Sequence, residues 1–405
     1  MKLKLVSFIA SLEKGAMVLS ILWLTGGSDL QFLSFIAYST TLFFLLWRWK
    51  ESLWKLIQEK FVWLFVGFLF LSTVWSSDFG ASLYMNLKLI GTLLIGLSLG
   101  TRYSLKEQLQ ILAWAFGIAA ILSLFYGLAL PAKGITVEGS RAGSWQGIYA
   151  QKNALGRVMT LGTMVFLLQT LICSRYRWLC WSGLVLCFAL VVLSASATAM
   201  MILLTLLALL PLYRALRWSY SWIIPFFSTI ILSIGSFSLL MVSQLDTIFG
   251  AFGKDTTLSG RIPLWQTVFT KIGEHLWFGY GYGGFWTGWD GEASDIWRTE
   301  TWEPPSAHNG LLDILLSVGI VGIILAILTF VTILLRSFSC LRSTKSLAGI
   351  WPLWYLTLLV LSNLTESTMD SRSIIWAFYI AISISTHRKV ITQHYKSRNH
   401  LKLIL

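Results

Sequence analysis

The sequence His308-Asn-Gly-Leu-Leu-Asp-Ile-Leu-Leu-Ser-Val-Gly-Ile-Val-Gly-Ile-Ile-Leu-Ala-Ile-Leu-Thr-Phe-Val-Thr-Ile-Leu-Leu335 begins where a long polar loop ends. After Asp313 it carries no charge. It is also longer than the ~20 residues that cross the hydrocarbon core of a bilayer. The segment therefore predicts a transmembrane helix near 308–335, with His308 at the point where the chain enters the membrane.

The preceding loop, residues 244–307, is the one long interval of the sequence without an apolar run able to span a membrane. It contains Ser259-Gly-Arg261, the tract Phe278-Gly-Tyr-Gly-Tyr-Gly-Gly-Phe285, and Pro304-Pro305 shortly before the histidine. Binding and catalytic residues are often placed on loops that a rigid scaffold positions. We therefore expect the chemistry of this protein in or beside the large loop.

The rest of the chain has the composition of an integral membrane protein. Of 405 residues, 56% are hydrophobic and 12% are charged, whereas about 25% of the residues of a soluble domain are charged. Twelve transmembrane helices are predicted, near 5–25, 30–47, 61–77, 82–100, 108–130, 152–173, 178–195, 198–213, 221–243, 308–335, 348–365 and 372–387. We expect one polytopic all-α domain over residues 1–405, within which 244–307 is a large extracytoplasmic loop with short amphipathic helices.

Basic residues alternate between successive loops. Most of the 31 Lys and Arg residues lie in the two termini and in every second loop, while most acids lie on the other side. The positive-inside rule then predicts that both termini are cytoplasmic and that the large loop faces outward. The net charge of +13 is explained by anionic lipid at the inner membrane surface, without a nucleic acid partner.

Arg261 stands at the predicted start of an amphipathic helix in the loop. Ser259 is suited to cap that helix, and Pro263 is tolerated in a first helical turn. Apolar residues then recur at helical spacing, at Trp265, Val268, Phe269, Ile272 and Leu276. The backbone N–H groups at a helix N-terminus favour an anion. Arg261 is therefore a candidate for binding one; the alternative is an ordinary solvated loop arginine.

His308 is a candidate general base, because imidazole can exchange a proton near neutral pH. The alternative is a structural histidine. A metal site is not indicated, since no second His or Cys of the loop stands at ligand spacing. The glycines of 279–284 lack the preceding strand and following helix of a dinucleotide site. No cofactor is predicted.

A second cluster, Gln151-Lys-Asn-Ala-Leu-Gly-Arg157, opens the sixth predicted helix after an outward loop that contains Arg141. Charges at membrane depth are costly and usually pair or bind a ligand. Lys152 could also simply extend its amine to the interface, an explanation that fits Arg157 less well. Lys88 and Glu366 lie within and at the end of two other predicted helices, where a structural Lys–Glu pair would account for both.

Four passages together resemble the O-antigen ligase and exopolysaccharide polymerase superfamily of membrane glycosyltransferases. They are Gln151-Lys-Asn-Ala-Leu-Gly156, Leu258-Ser-Gly-Arg-Ile-Pro-Leu-Trp265, His275-Leu-Trp-Phe-Gly-Tyr-Gly-Tyr-Gly-Gly-Phe285 and His308-Asn-Gly-Leu-Leu-Asp-Ile-Leu-Leu-Ser-Val-Gly-Ile-Val-Gly322. The resemblance covers chiefly residues 145–325. The family often has His at the position of Gln151 and Pro at that of Leu276, so this chain lacks one titratable group in the first motif.

The resemblance implies a GT-C-like fold in the cytoplasmic membrane of a bacterium. It implies a glycan donor linked to polyprenyl (undecaprenyl) diphosphate, an acceptor hydroxyl and inversion at the anomeric carbon. Metal independence is predicted from the residues themselves, because the loop lacks ligand spacing and its cationic side chains can take the charge of the diphosphate. Arg261 and His308 would be catalytic, and Lys152, Arg157, Arg141 and Asn309 would bind substrate. Membrane lipid and other polysaccharide-assembly proteins would be further partners.

Two acceptors remain open under this resemblance. A polysaccharide polymerase extends a glycan, and its branch of the superfamily is favoured by the Lys152-Asn153 and His308-Asn309 motifs. An O-antigen ligase instead transfers the glycan to lipid A-core. A transporter of bicarbonate or another small solute is the alternative from a different class. Transporters tend to have inverted repeats and helices broken near the membrane midplane, and no convincing repeat is found in the sequence.

Overall fold

The computed structural model describes residues 2–27, 33–47, 55, 57–137, 142–219, 221–222, 261–299, 302–368 and 373–387. Their helices are α1 (Lys2–Leu24), α2 (Leu33–Trp47), α3 (Lys60–Leu71), α4 (Phe79–Arg102), α5 (Leu105–Ala129), α6 (Lys152–Ile172), α7 (Arg177–Leu193), α8 (Ala197–Ala215), α9 (Arg261–Glu274), α10 (Ser294–Thr299), α11 (Gly310–Ser343), α12 (Trp351–Thr365) and α13 (Ile374–His387). Within these ranges, extended pairing is limited to an isolated bridge between Ile135 and Trp145.

The described part of the chain is an all-helical integral membrane protein. Six of its helical segments are long and apolar enough to span a bilayer: α4, α5, α6, α8, α11 and Leu347–Thr365, which ends in α12. Lys60–Trp75, α7 and α13 are shorter apolar helices. The predicted span at 221–243 lies outside the described residues except for its first two. A total of twelve spans stays a prediction.

Helix boundaries follow from side chains that satisfy the free backbone N–H groups of the first turn. The Asp78 carboxylate accepts from the backbone of Ala81 at 2.8 Å and starts α4. Ser104 and Glu107 form a capping box at α5. The Asn309 side chain accepts from the backbone N–H groups of Leu311 and Leu312 and starts α11. The membrane segment predicted to begin at His308 therefore begins two residues later.

The large loop has a small core of its own. Leu264, Val268 and Ile272 of α9 are buried together with residues of the glycine tract, of α10 and of the first turns of α11. Because these three side chains repeat every four residues, they form the inner face of α9. Phe269, predicted on that face, is exposed instead, since it lies one position beyond the buried row. Because this core includes side chains from the first turns of α11, it holds the loop against the membrane helices.

The glycine tract occupies a break in α11. Gly319 has φ 61° and ψ −163°, which no helix contains. The tract closes the break: Tyr280 and Gly281 donate their backbone N–H groups to Leu316 and Ser317 at 2.7 and 2.9 Å. In the other direction Ile320 donates to the carbonyl of Leu276, also at 2.9 Å. Backbone groups released inside a membrane helix need such partners.

At the opposite end of the bundle, a buried carboxylate joins three helical segments. Glu59, which precedes α3, is 4% exposed and accepts from Arg336 of α11 at 2.7 and 2.9 Å. His387 Nδ1 lies 2.6 Å from the same carboxylate, and Ser383 donates to it at 2.6 Å. Burial opposes its ionisation, but the hydrogen bonds and positive charges of these partners prevail and lower the pKa of Glu59.

Candidate functional site

Glu366 is the centre of the candidate site. It follows the last residue of α12, and its backbone is extended, with φ −146° and ψ 151°. The carboxylate meets side chains from three sequence regions that are far apart in the chain: the start of α6, the start of α9 and the segment before α11. It lies at the end of the helices that carries the large loop.

Arg261 reaches this carboxylate from the large loop. As the first residue of α9, it places its Nη2 atom 3.8 Å from Oε1 of Glu366. About a quarter of each side chain is exposed, so the pair is screened by solvent only in part. The predicted helix at this position is confirmed, while the predicted cap, Ser259, lies outside the described residues.

His308 approaches from the other side, and its Nδ1 atom lies 3.3 Å from Oε2 of Glu366. The Nε2 atom is enclosed and makes no hydrogen bond to the described residues. If Nδ1–H donates to the carboxylate, Nε2 is left with the lone pair that can accept a proton. The ring of Trp302 packs beside the imidazole, with 5.5 Å between the ring centroids.

The backbone before His308 is held by hydrogen bonds from tryptophans of the loop. Trp297 donates its indole N–H to the carbonyl of Pro304 at 3.0 Å. Trp265 donates to the carbonyl of Ala307 at 2.9 Å. The backbone N–H of Ala307 in turn donates to the carboxylate of Asp313 at 3.0 Å. His308 itself has φ 50°, a conformation that is rare outside glycine and that these contacts hold in place.

The start of α6 supplies Asn153 and Arg157. The Asn153 Nδ2 group donates to Oε1 of Glu366 at 3.4 Å. Arg157 lies about one turn further along the helix, and both residues line a small cavity of about 60 Å³ together with Glu366. This cavity also presents the hydroxyl of Ser362, which is buried and has no partner among the described residues.

The electrostatics of the site favour an ionised Glu366. Burial alone would raise the pKa of this carboxyl, because water is displaced from the charged form. The hydrogen bond and the electrostatic interaction from His308, together with the positive charges of Arg157 and Arg261, outweigh burial and lower the pKa of Glu366. One carboxylate therefore stands beside two arginines, an arrangement in which a further anion can still be accommodated.

The remaining predicted site residues lie elsewhere or have other contacts. Lys152 directs its Nζ atom to Ser144 and to the carbonyl of Ala195, at 3.4 and 3.3 Å. The side chain of Asn309 caps α11. Arg141 lies outside the described residues. A substrate-binding role for these three stays a prediction.

Glu366 is the residue whose role the sequence did not reveal. The sequence allows a structural pair between Glu366 and Lys88. In the structure, however, Lys88 places its amine over the ring of Tyr84, 3.5 Å from the centroid. The sequence held one signal, a carboxylate at the very end of an apolar helix, where an ionisable group is costly unless it is paired or functional. Its partners could not be read from spacing, because His308 lies 58 residues away in the chain.

No cluster of three or more His, Cys, Asp or Glu side chains is arranged to hold a metal ion within the described ranges. Metal independence itself is untested and stays a prediction.

Comparison with known proteins agrees with the resemblance carried by the four motifs. The O-antigen ligase family model (Wzy_C) matches residues 182–327, which run from α7 into α11 and include Arg261 and His308. The exopolysaccharide production protein ExoQ of Rhizobium meliloti (strain 1021) is 27% identical over 200 residues. The resemblance to the O-antigen ligase and exopolysaccharide polymerase superfamily is confirmed. The matched residues are 47% of this chain and 46% of ExoQ, so the chain matches less than half the length of that relative.

These matches support an O-antigen ligase or polymerase type of membrane enzyme. The superfamily model covers the loop and the first turns of α11, but it ends before Glu366 and begins after Arg157. Within the matched residues lie the two side chains that approach the carboxylate from the loop side. The remaining wall of the site comes from α6 and α12.

Proposed function

We propose that this protein transfers a glycan from a polyprenyl diphosphate donor to an acceptor hydroxyl on the outer face of the cytoplasmic membrane of a bacterium. One observation carries the proposal. Arg261, His308 and the start of α6, which the sequence motifs singled out separately, converge on Glu366. A cation and a potential base on opposite sides of one carboxylate suit a reaction in which a diphosphate leaves and a hydroxyl loses its proton.

Arg261 and Arg157 are the proposed partners of the diphosphate. Both guanidinium groups act electrostatically on Glu366, so both lie near the same point. An arginine has five N–H donors in a fixed fork, and the contact of Arg261 with Glu366 at 3.8 Å leaves donors for a second anion. Charge that develops on the leaving diphosphate would be stabilised by groups already in position.

His308 is the proposed base. The acceptor oxygen forms a bond to the anomeric carbon while the bond from that carbon to the diphosphate oxygen breaks. The hydroxyl proton moves to Nε2 of His308, and the electron pair of the broken bond leaves with the diphosphate. Glu366 holds Nδ1–H, orients the ring and stabilises the imidazolium that forms. A base of this kind typically contributes ~10²–10⁴-fold.

An apolar groove beside the site suits the polyprenyl chain. Its volume is about 230 Å³. It starts at Gly310 and Asn363, two and three residues from His308 and Glu366 along the chain, and continues along α11 and α12 between Ile314 and Val360. A lipid held there would keep its diphosphate at the level of Arg261, where the helices end.

Polymerase activity is favoured over ligase activity. The name of ExoQ refers to exopolysaccharide production, in agreement with the two Asn-containing motifs. Because the matching family is that of the O-antigen ligases, transfer to lipid A-core is the second candidate. Transport of a small solute receives no support from either name.

The decisive experiment uses the full-length protein in lipid nanodiscs. Its substrates are glycan repeating units linked to polyprenyl diphosphate, isolated from the cells that make this protein. We expect longer lipid-linked glycans and release of polyprenyl diphosphate, without added metal. Glycan appearing only on added lipid A-core would establish the ligase instead. No transfer to either acceptor, with solute flux in proteoliposomes, would contradict the proposal.

A further inference from the structure

A second cavity lies on the other side of Arg157. It has a volume of about 320 Å³ and is bounded by the end of α1, by α6, by the residues after α12 and by the start of α13. Ala154 and Arg157 line this cavity as well as the smaller one beside Glu366. The first turns of α6 therefore form a partition with a cavity on each side.

The chain after α12 forms the other part of the partition. Glu366 lines the first cavity, whereas Ser367 and Thr368 line the second. Because the backbone at Glu366 is extended, successive side chains can point in opposite directions. The second cavity is thus only one residue along the chain from the carboxylate that holds His308.

Hydroxyl groups dominate the polar lining of the second cavity. Thr368 is 2% exposed, and its Oγ1 atom has no hydrogen-bond partner among the described residues. Thr25 donates its hydroxyl to a backbone carbonyl and also interacts with the hydroxyl of Tyr149. Ser373 accepts from a backbone N–H. Since a buried hydroxyl without a partner is unfavourable, Thr368 points to a ligand or water in the cavity.

The charge of this lining excludes several ligand types. Among the described lining residues there is no Asp or Glu, and the one cation is Arg157. A metal ion or an amine would find no carboxylate among these described residues. A neutral molecule with many hydroxyl groups would find donors, acceptors and the indole of Trp23.

We infer that the second cavity binds the terminal sugar of the acceptor glycan, an assignment that rests on the proposed function. The donor reacts at the sugar attached to its diphosphate and lipid, so its reacting end belongs beside Arg261 and the apolar groove. That groove shares no lining residue with the second cavity. The acceptor reacts at the far end of its glycan, which carries neither diphosphate nor lipid. A hydroxyl-lined cavity across Arg157 suits that end.

The test measures binding without catalysis, on the full-length protein in nanodiscs. The probe for the second cavity is the free repeating-unit oligosaccharide, released by mild acid from the lipid-linked glycan of the cells that make this protein. The probe for the first is undecaprenyl diphosphate. We compare Thr368→Val, which keeps the shape but removes the hydroxyl, with Thr368→Ser, which keeps the hydroxyl. Ser337→Ala is the matched control, because Ser337 is equally buried and unpartnered among the described residues but lines neither cavity.

Thr368→Val should raise the Kd for the oligosaccharide by about 3- to 10-fold, the usual effect of losing one neutral hydrogen bond. Thr368→Ser and Ser337→Ala should bind it like the wild type, and all variants should bind undecaprenyl diphosphate equally. Unchanged oligosaccharide binding by Thr368→Val would overturn the assignment and leave water as the partner of this hydroxyl. If Thr368→Val bound both probes more weakly, the donor would lie in this cavity, and the assignment to the acceptor would be overturned too.

The wild type separates this inference from the proposed function. If it binds undecaprenyl diphosphate and transfers glycan but does not bind the free oligosaccharide, the acceptor cavity is wrong and the proposed function stands. If it binds neither probe and transfers no glycan, the proposed function fails and the acceptor cavity fails with it.

Discussion

Replacing Glu366 by glutamine separates charge from shape at the centre of the site. The substitution keeps a side chain of the same length that can still receive the hydrogen bond from Asn153 at 3.4 Å. It removes the negative charge that faces Nδ1 of His308 at 3.3 Å. If His308 accepts the proton of the acceptor hydroxyl, the imidazolium formed in the transition state loses its counter-charge.

The size of this effect follows from the distance. Two unit charges 3.3 Å apart attract each other by about 5 kcal/mol at an effective dielectric constant of 20, and by about 1.3 kcal/mol in bulk water. The two side chains are 21% and 22% exposed, so an intermediate value of about 3 kcal/mol applies. A loss of that size from the transition state lowers turnover by roughly 10²-fold.

Glycan transfer by purified protein in nanodiscs provides the assay, with kcat and KM measured for both substrates. We expect kcat to fall and the KM for the donor to change little or to decrease, because Arg261 loses its competing carboxylate at 3.8 Å. Glu303→Gln is the matched control, since Glu303 is an exposed loop carboxylate bonded to Trp289. Turnover of Glu366→Gln within about threefold of the wild type would refute the orienting role of Glu366.

Further predictions follow from the site, the fold and the sequence. Arg261→Lys should impair transfer and Arg261→Ala should nearly abolish it, because lysine keeps the charge but loses the forked guanidinium group. His308→Ala should lower kcat by ~10²–10⁴-fold while donor binding is kept. Normal turnover of His308→Ala would show that the histidine is structural. Transfer should survive EDTA, whereas complete loss restored by Mg²⁺ or Mn²⁺ would reveal a metal site. Gly319→Ala should lower the free energy of unfolding by at least about 2 kcal/mol, because its conformation is almost restricted to glycine and a Cβ atom would lie 2.3 Å from the backbone of Trp277. Thermal unfolding in detergent measures this. Gly273→Ala, where a Cβ atom meets nothing within 4 Å, should not destabilise the protein, because alanine is favoured over glycine in a helix. Cysteines placed within 285–300 should be labelled from outside the cell, and those in the basic loop after α2 should not; the reverse pattern would contradict the proposed orientation.

Hydropathy predicted the positions of most helices because it measures the property that the bilayer selects. Within the described ranges, a helix occupies each predicted membrane segment. The start of α9 at Arg261 was also predictable, since its apolar residues recur with helical spacing. In each case the signal is local in the sequence.

The contacts of the site were not predictable, because they depend on which helix ends lie together. Arg261, His308 and Arg157 were each recognised, but nothing in their spacing indicates that Glu366 joins them. Lys152 illustrates the same difficulty in the opposite direction. Its amine reaches the carbonyl of Ala195, which follows α7, a contact that no spacing in the sequence indicates, and its role at the diphosphate stays a prediction.

The break in α11 was hidden for a different reason. A glycine in an apolar run such as Ser317-Val-Gly319-Ile-Val is ordinary in membrane helices, and a hydropathy average does not register one non-helical residue. The glycine tract indicates that another backbone segment packs against it. That this segment is α11 is visible only when the two segments are placed together in the structure. A pattern of glycines can thus indicate close packing of two backbone segments as well as a phosphate-binding loop.

The closed break in α11 also determines which parts of the site can move. Separating the tract from α11 would expose several backbone groups at membrane depth, and each would cost several kcal/mol. His308, four residues before Leu312 in the first turn of this joined unit, is therefore attached to a rigid body. Under the proposed function, a growing polysaccharide has to pass in and out during successive additions. Any opening that admits it has to come from the opposite side of Glu366, where α6 and the end of α12 meet.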